Sequence, residues 1–156
     1  MASRIASAAP PPPFDLELET QLCFALYSTM LCVNKIYRSL LKRLGLTYPQ
    51  YLVMLALWQR DAVTLSDIGK RLFLDSATLT PLLKRLEAAG LIQRTRNATD
   101  ERQVIITLSS AGKALRNKAE EVPSCVAQAM ELTPPDLAEL RKRLVHVRGN
   151  LFRSAA

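Results

Sequence analysis

The stretch from Thr64 to Leu108 constrains the fold more than any other part of the chain. Thr64-Leu65-Ser66-Asp67 has the form of a capping box and opens a short helix to about Phe73. "FLD" makes a tight turn, Asp75 or Ser76 caps a second helix, "SATLTPLLKRLEAAG", and Gly90 stops it. Two helices joined by so short a turn form the helix-turn-helix pattern. Two β-prone runs, 91–96 and 103–108, then flank the polar loop Asn97–Arg102 and predict a hairpin. A hairpin directly after a helix-turn-helix is a wing. The fold class expected is mainly α with a small β-hairpin wing.

The flanks are helical. Asp15 can N-cap a helix running to Leu44, with Gly45 as its C′ residue, a span of roughly 45 Å. Its apolar residues cover more than one stripe, so one face must be buried outside a small domain, and oligomerisation is the simplest outlet. Thr47-Tyr48-Pro49-Gln50 is a second capping box, for a helix ending near Arg60. "AVTL" (62–65) fits one short strand. Ser109 or Ser110 starts a helix to about 122, which Pro123 interrupts, and Thr133-Pro134-Pro135-Asp136 opens a last helix to about Phe152. Residues 1–13, with four consecutive prolines, read as a mobile polyproline-like tail. Residues 14–156 read as one domain, with a DNA-binding lobe at about 48–108 and dimerisation helices at about 15–44 and 110–152. No apolar run approaches the roughly 20 residues of a membrane span, and the N-terminus has no apolar segment of a secretory signal.

The net charge of +7 suits a polyanionic partner, and with a winged helix that partner is double-stranded DNA. The second helix of the motif exposes Ser76, Thr78, Thr80 and Lys84, while Leu79, Leu82, Leu83 and Leu86 recur at core spacing. Small hydroxyl residues at that end let backbone approach DNA, and free N–H groups of a first helical turn favour phosphate. Pro81 reads as a kink beside the groove. The wing carries Arg94, Arg96 and Arg102, and an arginine at a hairpin tip suits the minor groove. Asp100, two residues before Arg102, is expected to hold its guanidinium in one pose.

On the residues "TLSDIGKRLFLDSATLTPLLKRLEAAGLIQRTRNATDERQVIITLSSAGKAL" (64–115) the chain resembles the MarR family of winged-helix repressors. The helix-hairpin order and the "TDER" wing tip carry the likeness, which extends over about 16–152. It implies a homodimer built from the N- and C-terminal helices, with two winged domains on a pseudo-palindromic operator.

The three cysteines, at 23, 32 and 125, are too widely spaced for a metal or C-x-x-C motif, and no cofactor is expected. Reduced thiols in a cytoplasmic chain are the default. A cysteine in an apolar helix is most often a small hydrophobe, and Cys32 fits that description. Cys23 differs in its phenols. Tyr27, at i+4, shares its face; Tyr37, at i+14, lies about 40° off that face and about 21 Å along the axis. Tyr37 therefore cannot touch Cys23 of its own chain along a straight helix, whereas an antiparallel partner helix can bring it there. Tyr48 opens the next helix and can join. Phenol hydroxyls donate to a thiolate and favour its charged form.

"LCFALYS" and "LGLTYPQYLVML" resemble the organic-hydroperoxide-sensing branch of the family, the OhrR repressors. That resemblance implies that Cys23 is the peroxide-reactive thiol, that Tyr37 and Tyr48 of the partner subunit bond to it, and that Cys125, in "VPSCVAQAM", resolves the oxidised thiol as an intersubunit disulfide. The implied function is a repressor that releases operator DNA when organic hydroperoxide oxidises Cys23. The alternative is a MarR-type repressor released by a small aromatic ligand, with structural cysteines. A thiol peroxidase would need a thioredoxin-like strand pattern that the sequence lacks, and an architectural winged helix would leave the Cys–Tyr set idle.

Overall fold

A computed structural model describes residues 16–100 and 102–155. Asp15 and the proline-rich segment 1–13 lie outside the described residues. The first long helix, α1, spans Leu22–Lys42, about 32 Å, and starts later than the sequence suggests. A single 3-10 turn, Leu18–Thr20, precedes it. There the Thr20 hydroxyl and the Gln21 amide both donate to the Glu17 carbonyl, at 2.9 and 3.1 Å. Side-chain bonds of this kind compete with helix propagation, and the helix begins only beyond them.

At its other end α1 closes as the glycine predicts. Gly45 has φ +66°, its N–H reaches the Lys42 carbonyl, and the Leu46 N–H reaches Leu41. This Schellman pair reverses the chain into α2, Tyr48–Gln59, with its Thr47–Gln50 capping box formed. Then follow β1 (Val63–Thr64), α3 (Leu65–Leu72), α4 (Ser76–Ala88), β2 (Ile92–Arg96) and β3 (Val104–Leu108). The short strand joins the hairpin, so the wing is a three-stranded antiparallel sheet ordered β1-β3-β2, with Ile106 of β3 facing Val63 on one side and Arg94 on the other. The Asp61 carboxylate pins the edge by accepting the Leu108 N–H at 2.8 Å.

The core lies between α1, α2, α3, α4 and the sheet. Leu41, Val53, Met54, Ile68, Leu79, Leu83, Leu86 and Ile106 are fully buried there. Gly69 lets α3 close on the turn that follows: a Cβ there would sit 2.8 Å from the Leu74 carbonyl oxygen.

Three helices complete the chain: α5 (Ser110–Ala119), α6 (Val122–Ala129) and α7 (Pro134–Ser154). The expected helix to 122 ends at 119. Pro123 does not interrupt it but stands in the first turn of α6, where a missing N–H costs nothing. Val122 and Val126 are buried as α6 packs on α1. Much apolar surface stays open on α1 (Leu22, Phe24, Leu26, Met30, Leu31) and α7 (Leu140, Leu144, Val145, Leu151). Among the described residues no helix is long and apolar enough to cross a membrane.

Candidate nucleic-acid interface and thiol site

The turn after α3 aims α4 outward. Asp75 is the N-cap: its carboxylate accepts the Thr78 N–H at 2.7 Å, and that bond holds its pKa below the usual carboxylate value. One N–H of the first turn is thus already used, and of the two caps expected from sequence, Asp75 or Ser76, Asp75 is the one that forms. Ser76, Thr78 and Lys84 are exposed. Thr80 is half-buried, and its hydroxyl donates to the Ser76 carbonyl at 2.7 Å, leaving only its acceptor side open. Pro81 stays inside α4, which runs on through it.

The wing arginines separate into two kinds. Arg94 is half-buried and engaged by Glu87 of α4: its guanidinium lies 2.7 Å from the carboxylate, and its backbone N–H donates to the other oxygen at 3.1 Å. The side-chain bond from Arg94 lowers the pKa of Glu87. Arg94, grouped with the DNA-contacting arginines on sequence, ties the wing to the recognition helix. Arg96 and Arg102 are exposed, with no ion-pair partner among the described residues.

Asp100 also departs from expectation. Its carboxylate accepts the backbone N–H of Arg102 at 3.1 Å and the Gln103 amide at 3.1 Å. It shapes the tip through the backbone and does not hold the Arg102 guanidinium. The Arg102 N–H, two residues on, lies where an Asx turn places it, and the Gln103 side chain takes the second carboxylate oxygen.

The phenols meet at the α1–α2 corner. The Tyr37 and Tyr48 ring centroids lie 4.2 Å apart, and Tyr51 stands 5.9 Å from Tyr37. Burial, then the neighbouring phenols Tyr48 and Tyr51, push the Tyr37 pKa up to about 12. Burial raises Tyr48 as well, partly offset by its bond with the Tyr37 hydroxyl. The Tyr37 hydroxyl spends its proton on Tyr48, which leaves the Tyr48 O–H as the pair's outward donor.

Cys23 is exposed and lies in the first turn of α1, because that helix starts at Leu22. Tyr27, one turn on, is exposed beside it. Cys32 is exposed too. Cys125 is half-buried on α6. Arg43, just past α1, pairs with Glu121 at 3.1 Å and fixes the start of α6 at the far end of α1. Cys23 lies about 30 Å of helix away from Arg43. Within one chain Cys23 and Cys125 are therefore much farther apart than the roughly 7 Å that a disulfide tolerates between Cα atoms.

Residues 35–121 match the family model described as transcriptional regulator SarA/Rot. The chain is 44% identical over 132 residues to an organic hydroperoxide resistance transcriptional regulator of Bacillus subtilis (strain 168), covering 84% of this chain and 90% of that one. The chain belongs to the SarA/MarR family of winged-helix transcriptional regulators. It is a transcriptional repressor of that type and not an enzyme. Its fold is similar to that of reduced AbfR bound to DNA (TM-score 0.73, 37% identity, 86% of this chain and 93% of that one). It is similar also to disulfide-formed AbfR (TM-score 0.63, 41% identity, 83% and 91%).

For this SarA/MarR-type regulator, the helix-turn-helix and the wing hairpin were legible in the sequence. The roles of Glu87 and Tyr51 were not. Glu87 meets Arg94 only because Gly90 turns the chain between a helix and a strand, and no periodicity spans that turn. Tyr51 stands beside Tyr48 in "TYPQYL", where only the tertiary contact with Tyr37 distinguishes it from a core aromatic.

Proposed function

We propose that this regulator is a cytoplasmic homodimer that represses by holding pseudo-palindromic operator DNA while reduced, and that organic hydroperoxides release it through Cys23. The observation that carries this reading is the Tyr37–Tyr48 pair: two neutral phenols with ring centroids 4.2 Å apart at one corner, Tyr37 about 21 Å along α1 from the thiol of its own chain. Antiparallel packing of two α1 helices brings the pair of one subunit to Cys23 of the other. The open apolar faces of α1 and α7 supply surface for such packing. The Bacillus relative, a hydroperoxide resistance regulator, and AbfR, known in reduced DNA-bound and disulfide forms, support the same reading.

The chemistry runs in two steps. The Cys23 thiolate attacks the distal oxygen of the hydroperoxide; the O–O bond breaks, a proton is taken up, and sulfenic acid and an alcohol form. The Cys125 thiol of the other subunit then attacks the sulfenic sulfur, giving a disulfide and water. The partner phenol pair donates to the thiolate through its outward O–H before attack. Disulfide closure must draw α6 of one subunit to the start of α1 in the other, and that movement alters the spacing of the two wings.

On DNA, Ser76, Thr78 and Lys84 of α4 face the major groove and Arg102 at the wing tip faces the minor groove, with Arg96 on phosphate. The lobe at about 48–108 reads DNA, and the helices on either side dimerise. A second reading rests on an apolar groove between Tyr48, Met130 and Leu137, Leu140 and Leu144 of α7, a place for an aromatic ligand. Operator binding measured before and after an organic hydroperoxide, with and without dithiothreitol, separates the two. Release that dithiothreitol reverses supports thiol chemistry; release only by a ligand, with thiols intact, supports the groove.

A further inference from the structure

Phe73 joins α3 to α4 in the left-handed conformation, φ 57°, without being glycine. A side chain in that region is strained, and the strain persists only where neighbours hold it. Those neighbours come from the far end of the chain. The Phe152 ring stacks on Phe73 at 5.0 Å between centroids, tilted by 29°, and the Arg148 guanidinium sits over the Phe73 ring at 4.3 Å. Both belong to the last turns of α7. Locally the Phe73 and Leu74 N–H groups both donate to the Gly69 carbonyl, the second at 2.9 Å. Two residues after Phe73 comes Asp75, the cap of the recognition helix, and then Ser76, its first residue.

We propose that Phe152 and Arg148 are positioning residues for DNA reading: the tip of α7 clamps the Phe73 hinge and so sets the angle at which α4 leaves α3. The clamp joins a dimerisation helix directly to the recognition helix of the same chain. A shift of α7 along its axis carries Phe152 and Arg148 off the ring and frees a strained residue beside the α4 cap. Nothing in this requires peroxide chemistry. The clamp rests on the operator-binding part of the proposed function and not on the redox part.

The geometry makes the two clamp residues unequal. Stacking of aromatic faces fixes the plane of the Phe73 ring, whereas the guanidinium only covers it. Phe152 is therefore the stronger member. Both rings keep about half their surface open, so removing one side chain leaves the core of the lobe untouched. Ser154, on the same last turn, is exposed and is not part of the stack.

The test uses the full-length reduced protein in dithiothreitol, as wild type, Phe152→Ala, Arg148→Met and Ser154→Ala. Amide exchange at Leu74 is read without DNA, operator affinity by titration, and oligomeric state by sedimentation. Phe152→Ala is expected to speed exchange at Leu74 and weaken operator binding by about tenfold each, with Arg148→Met changing both by about threefold and oligomeric state unchanged. Ser154→Ala is expected to behave as wild type. Wild-type exchange and affinity in Phe152→Ala would overturn the clamp, and so would equal losses in Ser154→Ala. A wild-type protein that binds operator yet ignores peroxide would refute the redox reading and leave this result standing.

Discussion

The Tyr37 and Tyr48 rings meet at a tilt of 31°, 4.2 Å between centroids, although one stands near the end of α1 and the other at the start of α2. The left-handed Gly45 and the Thr47 cap fold the chain back to bring them together. Burial then raises the pKa of both phenols.

The pH dependence follows from Tyr37. Its folded pKa, about 12, lies above the ordinary tyrosine value near 10. The native state therefore holds a proton that the unfolded state gives up between those values. Stability from this group is complete below about pH 10 and is lost as pH rises toward 12. Denaturant melts across that range should show Tyr37→Phe losing less stability with pH than wild type. An equal decline in both proteins would mean that Tyr37 is not the buried phenol.

Arg102 at the wing tip is exposed, and the Asp100 carboxylate is taken by the Arg102 backbone N–H and the Gln103 amide. Arg102→Ala should weaken operator binding and reduce the slope of log affinity against log salt by about 1 per subunit. Dimerisation and thiol oxidation should not change. An unaltered slope would remove Arg102 from the interface.

Arg94 should behave differently, because Glu87 already occupies it. Arg94→Ala should lower stability by about 1 kcal/mol, a value kept small by the partial exposure of the pair. It should loosen the wing but leave the salt slope close to wild type. A slope reduced as much as in Arg102→Ala would place Arg94 on phosphate.

What was legible in the sequence was local. The caps at Thr47, Thr64, Asp75, Ser109 and Thr133 all form, because each satisfies N–H groups within three residues of itself. The hairpin and the Gly45 stop follow for the same reason. The start of α1 was misplaced because Glu17, Thr20 and Gln21 bond among themselves in a way that periodicity does not register. Pro123 has two local readings, breaker or first-turn residue, and the burial of Val122 and Val126 decides for the second. Contacts across the chain, Glu87 with Arg94 and Phe73 with Phe152, have no local signature. In the candidate site the residue types were legible, but which charges are free and which are spent was not.

The position of Cys125 sets the next outcome. Its own Cys23 is out of reach, so oxidation should give a covalent dimer on a non-reducing gel, reversed by thiol. Cys32→Ser should still form it. Cys125→Ser should not, and should stop at sulfenic acid or over-oxidise at high peroxide. A covalent dimer lost in Cys32→Ser but kept in Cys125→Ser would make Cys32 the resolving thiol.

The central claim is that Cys23 is the sensor, and operator release by Cys23→Ser tests it most directly. Fluorescence anisotropy of labelled operator DNA would follow wild type and variant as an organic hydroperoxide is added. Wild type should release the DNA. Cys23→Ser should bind with wild-type affinity and stay bound at every peroxide concentration that releases the wild type. Peroxide-driven release that survives in Cys23→Ser would contradict the account.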